Sequence, residues 1–195
     1  MSFTPTMTEL EQYIHQHFAM SVEDCEKVSS LFYTETLKKG DYFLRSGTHC
    51  NKLSFIRDGI LRVYVTLPNA EVTQWIATRG YFMTDLNSFF YGQPGRFNMQ
   101  ALTDTPLYTI DADQYARLGK LVPRWNDFEK LFMGRCFVTL ENRVFDLIAL
   151  PAEARYQKLF EQNRDLFNQV PLQYLASMLG MTPETLSRIR RKALS

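Results

Sequence analysis

The C-terminal segment of the chain concentrates side chains that suit contacts with DNA. Beyond Pro171, four basic side chains fall within the five residues from Arg188 to Lys192, and Glu184 supplies the acidic side chain. Arginine can donate two hydrogen bonds to guanine, and glutamate can accept one from cytosine in the major groove. The other basic side chains would neutralise backbone phosphates. The whole chain has a formal net charge of only +1, so this basic end is a local feature.

The spacing of this segment predicts a helix-turn-helix. Ala176 is small enough for two helices to cross closely, and Gly180 stands where the first helix must end in a left-handed conformation. Thr182 is a favoured N-cap, and Pro183 is a favoured first helical residue. The inward apolar residues are Leu172, Leu175, Leu179, Leu186 and Ile189. The predicted DNA-binding residues are Thr182, Glu184, Thr185, Ser187, Arg188 and Arg191. The competing interpretation is an ordinary helical hairpin with a solvated basic end.

The elements that would position this segment follow from hydrophobic periodicity. Between residues 10 and 22, apolar residues recur at every fourth position, which predicts one or two amphipathic helices, the second capped by Ser21. From Lys38 to Ile110, apolar and polar residues alternate, and turn signals such as Asp58-Gly59 separate the runs. Many short strands separated by turns predict an antiparallel sandwich or barrel.

A long apolar stripe predicts a helix of about 25 residues between Pro123 and Pro151. Leu131, Val138 and Phe145 form a second stripe beside the first, so this helix must bury two sides. One side would lie on the β domain and the other on a second copy of the chain. The alternative is a core helix inside a monomer. The predicted dimer contacts are Trp125, Phe128, Phe132, Leu140 and Val144.

These elements divide the chain into three predicted parts. A β domain with N-terminal helices covers 1–120, the long helix covers 121–150, and a small helical domain covers 151–195. In the last part, a short helix over 152–162 and a linker over 164–169 precede the paired helices. Hydrophobic residues make up 45% and charged residues 22% of the 195 residues. Both values are ordinary for a soluble globular protein and exclude a disordered, collagen-like or disulfide-dense chain.

Catalytic, metal-binding and membrane-spanning patterns are missing from the sequence. Cys25, Cys50 and Cys136 lie far apart with no C-x-x-C pair, so we expect reduced structural thiols and no metal ion or iron–sulfur cluster. The sequence contains no H-E-x-x-H, phosphate-binding loop or redox motif, so we do not expect an enzyme. It also lacks a signal peptide and an apolar run of bilayer length. We therefore expect a cytoplasmic protein without a membrane partner.

Three segments are similar to the Crp/Fnr family of bacterial transcription regulators: Leu53–Tyr64, Gly80–Leu86 and Gly180–Arg188. The resemblance covers nearly the whole chain. It implies an α+β fold, with an antiparallel, jelly-roll-like β-roll sensor domain of the cyclic-nucleotide-binding type. A long dimerisation helix and a small all-α helix-turn-helix domain would follow. It also implies that Glu184 and Arg188 contact bases, and that the partners are double-stranded DNA, a second copy of the chain and RNA polymerase.

The segments that match the family's ligand pocket depart from its pattern. The family uses a Gly-Glu-Leu turn and a later Arg-Ser-Ala, where this chain has Thr84-Asp85-Leu86 and Gly95-Arg96-Phe97. A shift of Arg96 by one residue in an extended strand turns the side chain to the other face. The resemblance therefore implies an unidentified small-molecule effector other than cyclic AMP, or none. The predicted ligand-binding residues are Thr84, Asp85, Leu86, Arg96, Phe97 and Asn98.

Two further features leave alternatives open. The chain continues for only a few residues after the second helix of the pair, so we expect no full two-stranded wing of the kind usual in the family. This favours, as the alternative function, a ligand-sensing protein-interaction module with a vestigial helix-turn-helix. His15, His17 and His49 leave room for a haem-binding branch of the family, although single histidines are more often structural or exposed.

Overall fold

The computed structural model describes residues 7–194. It begins with two short helices, α1 (Glu9–Phe18) and α2 (Val22–Ser29). Thr8 caps α1 reciprocally: its hydroxyl accepts from the Glu11 N–H, and the Glu11 carboxylate accepts from the Thr8 N–H at 2.7 Å. Ser21 caps α2 by accepting from the Asp24 N–H at 3.1 Å, which confirms the predicted cap.

The middle of the chain forms two antiparallel four-stranded sheets that face each other as a jelly-roll-like sandwich. One sheet has the order β1-β8-β3-β6 and the other β2-β7-β4-β5. A short helix, α3 (Leu86–Tyr91), separates β6 from β7. The strands are β1 (Tyr33–Leu37), β2 (Tyr42–Leu44), β3 (Lys52–Ile56), β4 (Leu61–Leu67), β5 (Ala70–Ala77), β6 (Phe82–Met83), β7 (Asn98–Ala101) and β8 (Thr105–Asp111). The alternating sequence pattern predicted this class of fold.

The turn between β3 and β4 depends on glycine. Gly59 has φ +93°, a left-handed conformation that side-chain-bearing residues rarely adopt. A Cβ at this position would also lie 2.6 Å from the Thr105 hydroxyl and 2.7 Å from the Asp104 carbonyl oxygen. The turn therefore has both a conformational and a steric need for glycine. Below it, the space between the sheets is filled by apolar side chains such as those of Ile56, Leu61 and Leu107.

Seven helices follow the sandwich within the described residues: α4 (Ala112–Tyr115), α5 (Leu118–Leu121), α6 (Trp125–Ala149), α7 (Ala152–Gln162), α8 (Leu166–Gln169), α9 (Leu172–Met178) and α10 (Pro183–Leu194). The long helix α6 lies between Pro123 and Pro151, as predicted. The predicted linker over 164–169 is wrong in part, because α8 occupies most of it. Leu166 and Phe167 are buried in the helical core, which holds this segment in a helical turn.

One side of α6 packs on the sandwich and the N-terminal helices. The Phe132 ring lies 5.1 Å from the Phe82 ring and 6.1 Å from the Phe18 ring, and Trp125 contacts Tyr115. Phe128 packs on the same cluster. Trp125, Phe128 and Phe132 are thus partly buried against their own chain, and their assignment to a dimer face stays a prediction. The exposed apolar residues of α6 are Leu131, Phe137, Val138, Leu140, Val144, Phe145, Leu147 and Ile148.

The C-terminal helices share a core with one edge of the sandwich. Leu175, Ala176 and Leu186 are fully buried, and Ile60 and Ile76 of the β domain belong to the same cluster. The inward placement predicted for these helical residues is confirmed. No helix within residues 7–194 is long and apolar enough to cross a membrane.

Candidate functional site

The turn between α9 and α10 has the geometry that the sequence predicted. Gly180 has φ +65°, the Met181 N–H donates to the Ala176 carbonyl at 3.0 Å, and the Gly180 N–H donates to the Ser177 carbonyl at 3.0 Å. These bonds satisfy carbonyl groups that the end of α9 would otherwise leave unpaired. The turn therefore fixes the direction in which α10 leaves α9.

The start of α10 is capped and carries a negative charge. The Thr182 hydroxyl accepts from the Thr185 N–H at 3.2 Å, and Pro183 is the first helical residue. Hydrogen bonds from the backbone N–H of Glu184 and from Thr182 lower the pKa of the Glu184 carboxyl. Glu184 is therefore an exposed, ionised acceptor in the first turn of α10.

The predicted DNA-binding residues share the outer side of α10. Thr182, Glu184, Arg188 and Arg191 are exposed, and Thr185 and Ser187 are half-buried. Within residues 7–194, no hydrogen bond or ion pair engages the guanidinium groups of Arg188 and Arg191. These two cations are therefore available to an external anion.

The other two basic residues of α10 have contacts within the chain. The Arg190 guanidinium lies 5.8 Å from the centre of the Phe167 ring. Lys192 forms an ion pair with Glu153 of α7 at 3.1 Å. The cluster that looked uniform in the sequence thus divides into two residues with internal partners and two without.

A contact that sequence reasoning missed joins α9 to the edge strand β5. Arg62 of β4 is almost fully buried, and its guanidinium lies 3.6 Å from the centre of the Tyr174 ring. It donates to Thr73 at 2.9 Å and to Glu71 at 2.7 Å. The Thr73 N–H, on this edge strand, donates to the Ser177 hydroxyl at 2.9 Å. The alternation of β4 placed Arg62 on the outer face, but nothing local predicts that α9 covers it.

The predicted ligand-binding residues of the segment 84–86 contact other parts of the chain. Asp85 is buried and caps α3: one carboxylate oxygen accepts from the Ser88 N–H at 2.9 Å, and the other accepts from the Arg96 N–H at 3.3 Å. The Thr84 hydroxyl donates to the Lys52 carbonyl at 2.9 Å. Leu86 is half exposed and lines a groove between the sandwich and α6.

The residues of the second segment do not converge on Asp85 with their side chains. Arg96 is exposed, with its guanidinium 5.6 Å from the centre of the Phe97 ring, and Asn98 accepts from the Ser46 N–H at 3.0 Å. A Cβ on Gly95 would lie 2.7 Å from Leu44 and 3.3 Å from the Asp85 carboxylate. Each Asp85 carboxylate oxygen therefore already accepts from one backbone donor, and the Arg96 side chain is exposed. Binding of a ligand by these six residues stays a prediction.

Histidine and cysteine have no shared site in the described part of the chain. Residues 7–194 contain no group of three or more side chains placed to hold a metal ion. His15 Nδ1 lies 2.7 Å from the Met20 carbonyl oxygen, and the His17 ring stacks on Tyr13. Cys25 and Cys50 are buried, and Cys136 is exposed on α6.

Comparison with known proteins identifies the fold of the β domain. Residues 34–120 match the family model of the cyclic nucleotide-binding domain. No curated protein matches the chain significantly. Solved structures of Crp/Fnr-type regulators share the fold.

Three of these structures show how far the similarity extends. FixK2 from Bradyrhizobium japonicum has a TM-score of 0.69 and 16% identity, over 83% of each chain. The c-di-GMP-responsive global regulator CLP from Xanthomonas campestris has a TM-score of 0.67 and 14% identity, over 89% of this chain and 92% of CLP. The catabolite activator protein of Thermus thermophilus has a TM-score of 0.59 and 18% identity, over 92% of this chain and 85% of that protein. At these identities the similarity establishes the fold alone.

Proposed function

We propose that the protein is a homodimeric, DNA-binding transcription regulator of the Crp/Fnr type. In this proposal α10 lies in the major groove, and the β-sandwich responds to a small molecule other than cyclic AMP. The observation that carries the proposal is the capped start of α10, where Glu184 and Arg188 are exposed and Arg188 has no partner within residues 7–194. The Arg188 side chain can therefore meet base edges without first breaking internal contacts.

The described roles of two proteins with similar structures support the proposal. CLP is described as a regulator that links cell–cell signalling to virulence gene expression, and the Thermus thermophilus protein is named as a catabolite activator. Both similarities extend over more than four fifths of each chain, which is more than the β domain alone would supply.

The exposed side of α6 supports the dimer. Phe137 is 68% exposed and Ile148 81% exposed, and Leu140 and Val144 lie between them on the same helix. A row of large apolar side chains in water is costly, and a second copy of α6 would cover it by a symmetric contact. Two copies of α10 would then read half-sites about 34 Å apart, one turn of DNA.

The test is selection of bound sequences from a random double-stranded DNA pool, followed by gel-shift titration. We expect the wild type to select a two-fold symmetric site. Arg188→Ala should lose about 1–3 kcal/mol of discrimination at one base pair in each half-site. Arg191→Ala should weaken binding about equally on all sequences and reduce the slope of the salt dependence by about 1.

The matched control is Lys39→Ala, which removes the same charge from an exposed position before β2. It should leave both the affinity and the selected sequence unchanged. A wild type that selects no sequence, or an Arg188→Ala protein with unchanged discrimination, contradicts the proposed function.

A ligand-sensing protein-interaction module is the second candidate, and one observation favours it. Arg190 and Lys192 have contacts within the chain, so fewer cations remain for phosphates than the sequence suggests. This candidate predicts no protection of DNA even at low salt, together with a protein partner whose binding depends on the exposed side of α10.

A further inference from the structure

A cleft of about 320 Å³ lies between the edge strand β5, the long helix α6 and the C-terminal helices. Trp75 and Tyr81 line it from the sandwich, Arg143 from α6, and Arg155 and Lys158 from α7. None of the six residues predicted to bind a ligand belongs to its lining. Its size falls at the lower end of the range for small-molecule sites.

The charges that line this cleft do not balance. Arg143, Arg155 and Lys158 face it together with one carboxylate, that of Asp146. Lys158 donates to both oxygens of Asp146, at 2.8 and 2.6 Å, so this pair compensates itself. Within residues 7–194, no ion pair engages Arg143 or Arg155. Two guanidinium groups therefore have no ion-pair partner among these residues.

The two arginines differ in how their donors are used. Arg155 donates to the carbonyl oxygens of Leu179 at 2.8 Å, Leu150 at 2.6 Å and Gly180 at 3.3 Å. Arg143 donates one described hydrogen bond, to the Met178 carbonyl at 2.7 Å. A guanidinium has five N–H donors, so most donors of Arg143 remain for a ligand.

Arg143 is also partly withdrawn from water. Burial lowers the pKa of its guanidinium, although the Asp146 charge acts in the opposite direction. Its guanidinium carbon lies 5.0 Å from the centre of the Trp75 ring. A partly desolvated cation without a direct ion pair is unfavourable, and an anion with the right geometry would relieve that cost.

We propose that this cleft binds a small organic anion. Its carboxylate or phosphate group pairs with Arg143, and its apolar body lies against Trp75 and the neighbouring Leu147 and Leu159. Arg143 is the specificity-determining residue, because a planar guanidinium matches both kinds of anionic group. Lys158 contributes less, because Asp146 already holds its ammonium group.

The site is placed where a ligand would act on the turn before α10. Arg143 and Arg155 together hold the carbonyl oxygens of Met178, Leu179 and Gly180. An anion bound to Arg143 therefore shares this guanidinium with the Met178 carbonyl, next to the turn. The effect of the bound anion on DNA binding rests on the proposed function, whereas the binding of the anion does not.

Tryptophan fluorescence provides the test, because the chain contains two tryptophans. Trp125→Phe leaves Trp75, in the cleft, as the single reporter. The probes are phenyl phosphate and benzoate, which separate the two anionic groups, with benzyl alcohol as the uncharged control. We expect a saturable change in Trp75 emission with at least one anion and none with benzyl alcohol at the same concentrations.

Two substitutions with opposite signs separate a binding site from structural damage. In the Trp125→Phe background, Arg143→Gln should weaken anion binding about tenfold, since it removes a charge-assisted hydrogen bond. Asp146→Asn should tighten binding about threefold, because it removes a negative charge and releases Lys158. A general loss of structure would weaken binding in both variants.

Arg135→Gln is the matched control, because Arg135 also lies on α6 with its guanidinium over an aromatic ring, 5.2 Å from Phe18. Arg135 lines a separate groove that Trp75 also borders. Binding that depends on Arg135 and not on Arg143 would place the anion in that groove and overturn the proposal. The absence of a saturable change with both anions would overturn it as well. Neither result bears on DNA binding by Arg188, which the selection experiment measures without an added anion.

Discussion

The two outer faces of the sandwich are covered in chemically different ways. On one face, α1, α2 and the start of α6 form an aromatic contact, in which the Phe82 ring lies 5.0 Å from Phe55 and 5.1 Å from Phe132. On the other, α9 lies against β5, and the guanidinium of Arg62 stacks on Tyr174. Ile60 and Ile76 add apolar area there, but hydrogen bonds and a stacked cation define the contact.

This difference predicts that the α9 contact opens more easily than the aromatic contact. If α1, α2 and α6 moved away from the sandwich, their aromatic side chains would be exposed to water with no compensating interaction. The groups that hold α9, such as the Thr73 N–H and the Ser177 hydroxyl, could exchange their hydrogen bonds for bonds to water at a small net cost. In the proposed regulator, a contact of the second kind would suit a change of state, because a contact that opens below the free energy of global unfolding can respond to a ligand.

The largest expected effect comes from disrupting the aromatic cover, which is the contact of α1, α2 and α6 with the sandwich around Phe82 and Phe132. Phe132→Glu places a carboxylate among the rings of Phe18 and Phe82, and we expect it to lower the free energy of unfolding by about 3 kcal/mol. Tyr91→Glu, at a 75% exposed aromatic residue of α3, is the control and should change it by less than about 0.5 kcal/mol. Urea unfolding at low protein concentration measures both. Equal losses in the two variants would contradict the inward packing of Phe132.

The second prediction concerns the part of α6 that follows the aromatic cover, where apolar side chains are not buried by their own chain. Leu140→Glu should raise the dissociation constant of the dimer about 30-fold, corresponding to a loss of about 2 kcal/mol at a central contact. Asn126→Glu adds the same charge at an exposed position near the start of α6 and should leave association unchanged. Sedimentation across a concentration series measures this. A Leu140→Glu protein that sediments as the wild type does would place the partner elsewhere.

The long helix also shows what the sequence could and could not predict. The spacing of apolar residues located α6 between Pro123 and Pro151 and indicated two buried sides. Periodicity indicates that a side chain is buried, but not whether its own chain or a second chain buries it. Phe132 and Leu140 have the same pattern, and only the placement of α1 and β6 distinguishes them.

The same limit applies at the C-terminal helices. Gly180, Thr182 and Pro183 were predictable because caps and turns depend on neighbouring residues. The burial of Arg62 was not, because it depends on α9, more than 100 positions away along the chain. The cleft around Arg143 escaped prediction for the same reason, since its lining comes from β5, α6, α7 and α9.

The third prediction tests the contact that can open. Arg62→Met keeps much of the side-chain length but removes the bonds to Thr73 and Glu71 and the stacked charge, and we expect α9 to open more easily by about 1–2 kcal/mol. Hydrogen exchange of the α9 amides should accelerate accordingly, while that of the β3 amides should not. The control is Arg45→Met, which removes an exposed arginine stacked at 3.7 Å on Tyr42. Unchanged exchange in α9 would mean that apolar contacts alone hold this helix.

The smallest effect is expected from acid titration at the polar edge of the aromatic cover. Hydrogen bonds from the backbone N–H of Glu9 and from the Tyr108 hydroxyl at 2.8 Å lower the pKa of the Glu9 carboxyl, and the nearby Arg57 acts in the same direction. A lowered folded-state pKa means that the carboxylate stabilises the fold fully above its ordinary pKa of about 4.5, and that this stabilisation is lost as the pH falls through the folded-state pKa.

Glu9→Gln should therefore flatten the acid side of the stability profile. The side chain is partly exposed, so solvent screening limits the difference to about 0.5 kcal/mol, measured by urea unfolding at a pH near 6 and again well below 4.5. Glu26→Gln, at an exposed position of α2, should leave the profile unchanged. A wild-type profile that matches Glu9→Gln across this range would show that Glu9 does not hold α1 to Tyr108 and Arg57. The aromatic rings alone would then account for the stability of the first cover, which would make the contrast with the α9 contact sharper.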